Sequence, residues 1–323
     1  MPVYNEAAQL PETIDALVSA VERSGFDAEL VVVDDGSTDG SAGVAGRAVA
    51  GRLPLRAISQ ANRGRFDARR TGVAAAEGET VLLLDGRVRI REDALAYVHE
   101  QAGTGRRVWT GHVEVDTGGN VYGEFWKLLA ELAWAEYFAN PRDTSFGFRE
   151  FDRYPKGTTC FLAPRVLLAE AIEAFRSAYA DSRHANDDTP LIRWIAEREP
   201  INVSPAFACD YRPRTTLAPF LRHSFHRGVV FLDGHGRRES RFFPAVAGFY
   251  PASAILAAAA MRKPVVGAYA LAAISAGAAA VGVSQRRRAT EVATLALLAP
   301  VYAVAHGAGM WRGLTLLSRA RRP

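Results

Sequence analysis

The stretch Val31-Val32-Val33-Asp34-Asp35-Gly36-Ser37-Thr38-Asp39 constrains this chain more than any other. Three consecutive β-branched residues read as a strand buried on both faces. Two adjacent carboxylates, Asp34 and Asp35, stop it, and Gly36, Ser37 and Thr38 supply a turn into a helix. A charged pair at the carboxyl end of a parallel strand lies where open α/β sheets bind ligands. A polar loop, with Asp39 or Ser41 capping the next helix, would use the same residues. Recurrence favours a site. Similar polar ends occur in Pro2-Val3-Tyr4-Asn5-Glu6, in Leu82-Leu83-Leu84-Asp85-Gly86-Arg87 and in Asn186-Asp187-Asp188-Thr189.

Around that stretch, strands and helices alternate. Helical periodicity over residues 10–21 ends at Gly25, a left-handed stop. Strands are expected at 29–33, 53–58, 80–84 and 108–115, and helices at 41–50, 64–77 and 91–101. Such alternation with short loops implies an α/β fold with a doubly wound, mostly parallel sheet. The pattern then changes. An aromatic amphipathic helix is expected over 121–138, a loop over 140–157, a short strand at 158–162 and a helix over 165–179. A helix over 187–197 carries two acids in its first turn, which suits the helix dipole. Residues 201–211 read as extended. Residues 217–230 are basic and apolar together, with Arg222, His223, His226 and Arg227.

From residue 243 the chain becomes rich in Ala, Val, Leu and Gly. Runs at 243–261, 264–284 and 292–311 each have the length of a bilayer span. Arg262-Lys263 and Gln285-Arg286-Arg287-Arg288 separate them. A soluble Ala-rich bundle is the competing reading. The formal net charge is only +4, from 39 basic and 35 acidic residues, so nothing calls for nucleic acid. The Arg clusters beside apolar runs point to a membrane surface instead. Cys160 and Cys209 alone make neither a disulfide framework nor a metal-ligand spacing. The N-terminus lacks a basic region followed by an apolar run, so no secretory signal is expected. The expected division is a catalytic-type domain over 1–230, in halves of about 1–115 and 116–230, and a membrane-associated helical region over 231–323.

Taken in order, these motifs resemble the family 2 glycosyltransferases, which have the GT-A fold. The resemblance covers about residues 2–230. Pro2-Val3-Tyr4-Asn5-Glu6 is similar to the family's opening motif, and Asp34 to Asp39 to its nucleotide-binding turn. Asn62-Arg63-Gly64, Ala68-Arg69, Gly72 and Ala76-Glu77-Gly78-Glu79 are similar to the segment leading into the metal motif. The resemblance implies a nucleoside diphosphate sugar as donor, a UDP-sugar first. It makes 1–115 the donor half and 116–230 the acceptor half. Tyr4 would offer its ring and hydroxyl to the nucleoside, within the motif that Pro2 opens. Asp35 would face the base, with Glu6 and Asp34 helping to hold the nucleoside. Arg69 would pair with base or phosphates, unless it lies on a solvated helix face beside Arg65 and Arg70.

The metal motif departs from the family. The pattern asks for Asp-x-Asp, whose second acid binds a divalent cation, Mg or Mn, bridging the diphosphate. Here it reads Asp85-Gly86-Arg87. Guanidinium cannot ligate a metal but bonds phosphate oxygens in bidentate fashion. Three readings stand: Asp85 holds a metal with water, Arg87 partly replaces the ion, or the site has decayed.

Asp187-Asp188 resembles the family's Glu-Asp pair. It makes Asp188 the general base of inverting transfer, with Asp187 in the Glu position. A neighbouring acid is expected to raise the Asp188 pKa towards a useful range. The alternative is a helix start with Asp187 as N-cap and Pro190 in the first turn. Lys156 to Phe161 resembles the acceptor-side loop. His223, His226, Arg227 and Gly228 loosely match a Gln/Arg/Trp-type motif of membrane-bound synthases, against a basic interfacial helix.

The implied function is transfer of a sugar, with inversion, to a lipid-linked or cell-envelope glycan. The catalytic domain would face the cytosol at the cytoplasmic membrane. Donor, acceptor and membrane are the expected partners. The alternatives are a catalytically silent GT-A scaffold and a nucleotidyltransferase. The latter predicts a Gly-rich, Lys-containing phosphate loop, which residues 1–12 lack. Two structural expectations complete the reading. Residues 1–4 form only a strand stub, with the true start upstream. The spans number two to three, because three would leave Arg312, Arg319, Arg321 and Arg322 outside, against the positive-inside tendency. Residues 313–322 would then lie along the interface.

Overall fold

The computed structural model describes residues 1–238, 240 and 242–320, the last two without side chains. The Arg319 side chain, Arg321 and Arg322 therefore lie outside the described residues. The first half alternates as expected: β1 (Pro2–Val3), α1 (Leu10–Ser24), β2 (Leu30–Asp34), α2 (Ser41–Val49), β3 (Leu55–Ser59), α3 (Arg65–Ala75) and β4 (Thr80–Leu84). Then follow β5 (Val88–Ile90), α4 (Ala94–Glu100), β6 (Trp109–Thr110), β7 (His112–Val115), α5 (Val121–Ala133), α6 (Ala135–Ala139), β8 (Thr144–Phe146) and β9 (Cys160–Pro164). The remainder is α7 (Arg165–Ala174), α8 (Asp188–Ala196), β10 (Ile201–Val203), β11 (Ala208–Tyr211), α9 (Leu217–His235), α10 (Phe243–Arg262), α11 (Pro264–Ser284) and α12 (Ala289–Ala320).

The strands form three ladders, β1-β2-β3, β4-β9-β6-β10-β8 and β5-β11-β7. The first is parallel throughout, with Val31 opposite Arg56 and Val33 opposite Ile58. All five residues of β2 are buried, as the run of Val requires. The other two are mixed. β9 runs antiparallel to β4 and β6, and β11 is antiparallel to β5 but parallel to β7. Parallel pairing is thus confined to the first ladder and to single pairs within the other two. β1 is a two-residue stub, with Pro2 opposite Val33 and Val3 opposite Asp34. Beside it, a cavity of about 180 Å³ runs between β2 and β4, lined by Leu30, Val31, Leu82 and Leu84.

Two expected elements are broken. The strand over 108–115 divides at Gly111, whose N–H donates to the Cys160 carbonyl at 2.8 Å. A Cβ there would meet Cys160 Sγ at 2.9 Å. The chain leaves one ladder for the next at a residue without a Cβ, where it passes β9 this closely. The helix over 121–138 breaks at Trp134 (φ −126°, ψ 46°), where Lys156 Nζ lies 5.7 Å from the indole centre.

Three helices are long and apolar enough to cross a membrane: Phe243–Arg262, Pro264–Ser284 and Ala289–Ser318. α10 and α11 bury little of their surface, whereas α12 packs on the catalytic half. Leu295 and Leu298 of α12 join Phe125, Leu128 and Phe220 in one apolar cluster. Arg287, just before α12, pairs with Glu131 on α5. Further along, α12 crosses α9 at glycines. A Cβ on Gly309 would run into the Phe225 carbonyl oxygen, and one on Gly228 into that of His306. Small residues let helix backbones approach this closely. One on Gly313 would meet the Tyr179 hydroxyl at 2.6 Å. The chain just before α12 and the region around Gly313 therefore both touch the catalytic half.

Candidate active site

The turn after β2 and the segment after β1 lock together. Asn5 adopts φ 54°, a left-handed conformation that Asn tolerates better than most residues. Its N–H donates to Ser37 Oγ at 3.0 Å, and its side-chain oxygen accepts from the Thr38 N–H at 2.8 Å. The Glu6 N–H donates to Ser41 Oγ at 3.0 Å, and the Ala7 N–H to Asp39 Oδ2 at 2.9 Å. Asp34 accepts from the Ser37 N–H at 2.9 Å, closing the turn on itself. Pro2 lies in β1 beneath this corner, and Tyr4 projects from it, 50% exposed.

Asp35 is buried and organises the loop after β3. Its Oδ1 accepts from Gln60 Nε2 at 2.8 Å and from the Arg63 N–H at 2.9 Å. Its Oδ2 accepts from the Gly64 N–H at 2.8 Å. Gly64 sits at φ 92°, and a Cβ there would be 2.5 Å from Arg183 Cα. That close approach brings the loop before α8 against the Asp35 turn.

The centre of the site is Arg69. Its side chain is 2% exposed, so a solvated helix face is excluded. Its Nη2 donates to Asp85 Oδ1 at 2.8 Å. Its Nη1 donates to Asp187 Oδ2 and, at 3.1 Å, to Asp188 Oδ1. One guanidinium from α3 thus joins the carboxyl end of β4 to the start of α8. Asp187 holds the N-cap position but makes no capping bond, because its side chain turns to Arg69 instead. The Thr158 hydroxyl donates to Asp188 Oδ1. The loop leading in is held by Asp233 of α9, which accepts from the N–H groups of Ala178 at 2.6 Å and Asn186 at 2.7 Å.

The two acids differ. Asp188 is 37% exposed at its side chain and Asp187 6%. Burial pushes the Asp187 carboxyl up, and Arg69 only partly opposes it. For Asp188, burial pulls upward but is outweighed. Arg69, Arg65 and the Thr158 hydroxyl hold it below the usual carboxylate range. The expectation of a raised Asp188 is thus corrected: the neighbouring acid takes the upward shift, because burial and the charge of Asp188 outweigh Arg69 there, whereas at Asp188 the cations and the Thr158 hydroxyl outweigh burial.

Arg87 does not stand alone towards a phosphate. Its Nε lies 2.8 Å from Glu6 Oε1 and 2.7 Å from Oε2. Burial pushes the Glu6 carboxyl up, against the hydrogen bond and charge of Arg87. A divalent cation requires carboxylate oxygens open to it. Asp85 is engaged by Arg69, and by Arg65 at 3.9 Å. Among the described residues no group of three or more His, Cys, Asp or Glu is placed to hold a metal. The donor set does not fit a resident cation. Thr158, Arg65 and Asp233 contact this cluster or its loop, though motif reading left them in the background. Only proximity in the fold assigns them.

A parallel ladder with polar turns at its carboxyl ends, and an acidic cluster at the carboxyl end of β4, is the arrangement of the GT-A glycosyltransferase class. Residues 1–159 match Glycosyl transferase family 2. An undecaprenyl-phosphate 4-deoxy-4-formamido-L-arabinose transferase of Pseudomonas fluorescens is 32% identical over 107 residues. That match covers 32% of this chain and 31% of the relative. A cholesterol galactosyltransferase of Borreliella burgdorferi is 33% identical over 92 residues, covering 28% and 26%. The chain thus matches about a third or less of the length of these curated relatives. Among solved structures, a Pyrobaculum calidifontis mannosyltransferase in complex with GDP-Man and Mn²⁺ superposes with a TM-score of 0.54. It is 20% identical, over 94% of this chain and 84% of that one. S. aureus TarS 1-349 in complex with UDP-GlcNAc gives 0.51 at 18% identity, over 72% and 65%. These likenesses carry the fold.

Proposed function

We propose that this chain is an inverting glycosyltransferase that moves a sugar from a nucleoside diphosphate sugar, a UDP-sugar first, to a hydroxyl of a lipid-linked or cell-envelope glycan. The observation that carries the reading is the arrangement around Arg69, which sets a partly exposed, ionised Asp188 beside Asp85 and the donor corner. Tyr4, Asp34, Asp35 and Glu6 make that corner. Asp188 takes the acceptor proton as the hydroxyl oxygen attacks the anomeric carbon, and the nucleoside diphosphate departs from the opposite face. Thr158 and Arg69 fix the orientation of Asp188. The lipid-phosphate relative supports a lipid-linked acceptor.

The tail supports work at the cytoplasmic membrane from the cytosolic side. α10 and α11 make a hairpin of two spans with Arg262-Lys263 at its far tip. α12 lies along the base of the catalytic half, which keeps Arg286–Arg288 and Arg312 on one side, in keeping with the positive-inside tendency.

The test is a panel of nucleotide-sugars with lipid-linked acceptors, run on wild type and Asp188→Asn. Removing a general base costs about 10²–10⁴-fold in turnover, with donor binding retained. Wild-type transfer to a hydroxyl by Asp188→Asn would overturn the mechanism. A silent scaffold is the second reading, favoured by Arg69 neutralising the acids and by Arg87 in the metal motif. It predicts no turnover of any nucleotide-sugar.

A further inference from the structure

Outside the Arg69 cluster, a cleft of about 430 Å³ opens between α7, α8 and the end of α9. Three arginines line it: Arg176 just past α7, Arg193 on α8, and Arg237 between α9 and α10. Arg237 Nη2 donates to the Arg176 carbonyl at 2.5 Å, which ties the chain after α9 to the end of α7. Arg176 Nη1 donates to the carbonyls of Glu173 at 2.5 Å and Phe175 at 2.7 Å. Arg176 and Arg237 are exposed, and among the described residues their guanidiniums bond only these neutral carbonyls. Arg193 lies 4.7 Å from the Phe151 ring centre and 5.6 Å from that of Phe148, with Asp152 at 3.6 Å. Glu197, the one acid in the lining, is paired with Arg198 at 3.4 Å. The cleft therefore carries an excess of positive charge.

The cleft also reaches the foot of the first apolar span. Ser240 lines it, and the Ser240 carbonyl accepts from the Phe243 N–H at 2.9 Å, where α10 begins. With Arg262-Lys263 at the far tip of the α10–α11 hairpin, this end of α10 stands at the cytosolic face, at the depth of the headgroups. Basic residues at that level attract anionic lipids. Phe148, 46% exposed, and Trp194 add aromatic surface to the lining.

We propose that this cleft holds the headgroup of an anionic phospholipid, with Arg176, Arg193 and Arg237 on its phosphate. This rests on the membrane reading above. Guanidinium forks bond phosphate oxygens in bidentate fashion. Ala171, Ala174 and Phe175 in the same lining give the glycerol and the first methylenes an apolar surface. A free phosphate would leave that surface uncovered, which favours the lipid. Thr189 and Pro190 line the cleft as well, so the headgroup bears on the first turn of the helix that starts at Asp188.

The test is native mass spectrometry of the full chain in detergent, titrated with phosphatidylglycerol and with phosphatidylcholine. One phosphatidylglycerol should bind at least about tenfold more tightly than phosphatidylcholine, since each basic residue near an anionic lipid contributes about fivefold. Arg176→Gln and Arg237→Gln should each weaken phosphatidylglycerol binding by about fivefold or more. Phosphatidylcholine binding and the melting temperature should stay unchanged, which also reports that the variants are folded. Arg238→Gln, exposed and outside the lining, should bind as wild type does. Equal affinity for the two lipids would overturn the proposal. So would an equal loss in Arg238→Gln, since diffuse surface charge would then explain the binding. Displacement of the lipid by inorganic phosphate alone would overturn it too, by making the cleft a free-phosphate site. Recovery of the full chain in the soluble fraction without detergent would instead sink the membrane reading on which the proposal stands.

Discussion

Replacing Arg69 with Met strips the one guanidinium that three carboxylates share. Arg69 is 2% exposed and Asp187 6%, so water cannot take over the lost bonds. Breaking a buried ion pair from one side costs about 3–5 kcal/mol. At about 2–4 °C per kcal/mol for a domain of this size, melting should fall by roughly 6–20 °C. The sign of the pH dependence follows from Asp187. Its carboxyl is already raised by burial against the opposition of Arg69, and without Arg69 it rises further. A carboxyl whose folded pKa exceeds its unfolded value of about 4 penalises folding above that value, by about 1.4 kcal/mol per unit. The penalty is full at neutral pH and relieved as pH falls through the folded pKa. Asp188 acts in the opposite sense in the wild type. Its depressed carboxyl stabilises the fold above the usual carboxylate range, and that stability is lost in acid. Arg69→Met should therefore be far below wild type at pH 8 and closer to it at pH 5. Adding Asp187→Asn should recover much of the loss, because an amide needs no countercharge. The assay is thermal unfolding of the detergent-solubilised full chain across that range. A pH-independent drop of under about 2 °C would refute the reasoning.

Asp35→Ala removes the acceptor for Gln60 Nε2 and the Arg63 and Gly64 N–H groups, so KM for the donor should rise with kcat largely kept; an equal fall in kcat alone would show that Asp35 serves the chemistry. Gly309→Leu drives a side chain into the Phe225 carbonyl and should cost at least about 1–3 kcal/mol from overpacking, whereas an unchanged melting temperature would mean that α9 and α12 do not cross here. Full-length protein should sediment with membranes and stay there through a high-pH wash. Recovery in the soluble fraction without detergent would end the membrane reading.

Much of the first half was legible because its signals are local. The run Val31-Val32-Val33 demands burial on both faces, and β2 is buried at every position. Gly25 stops α1 in the left-handed region at φ 75°, as its lack of a Cβ allows. The acids Asp85, Asp187 and Asp188 stood out at element ends, and the fold does bring them together. The short strands β5 and β8, three residues each, were missed. Three residues give no periodicity, and only their partners in the ladder make them strands.

Pairing is where local reading stops. Arg69 lies 118 residues from Asp187, and Arg87 lies 81 from Glu6. No spacing rule links such distances, so Arg69 could be taken for a surface residue and Arg87 for a phosphate ligand. The direction of the Asp188 shift depended on the same contact, because charge in a poorly solvated site acts through distance in space. The tail shows the limit most plainly. The sequence alone determined that α10, α11 and α12 are helical and apolar, since composition and length carry that. Hydropathy measures escape from water and is blind to the destination, lipid or protein. That α12 packs part of its surface on α5 and α9 was decided by tertiary structure, where Gly228 and Gly309 let two backbones meet.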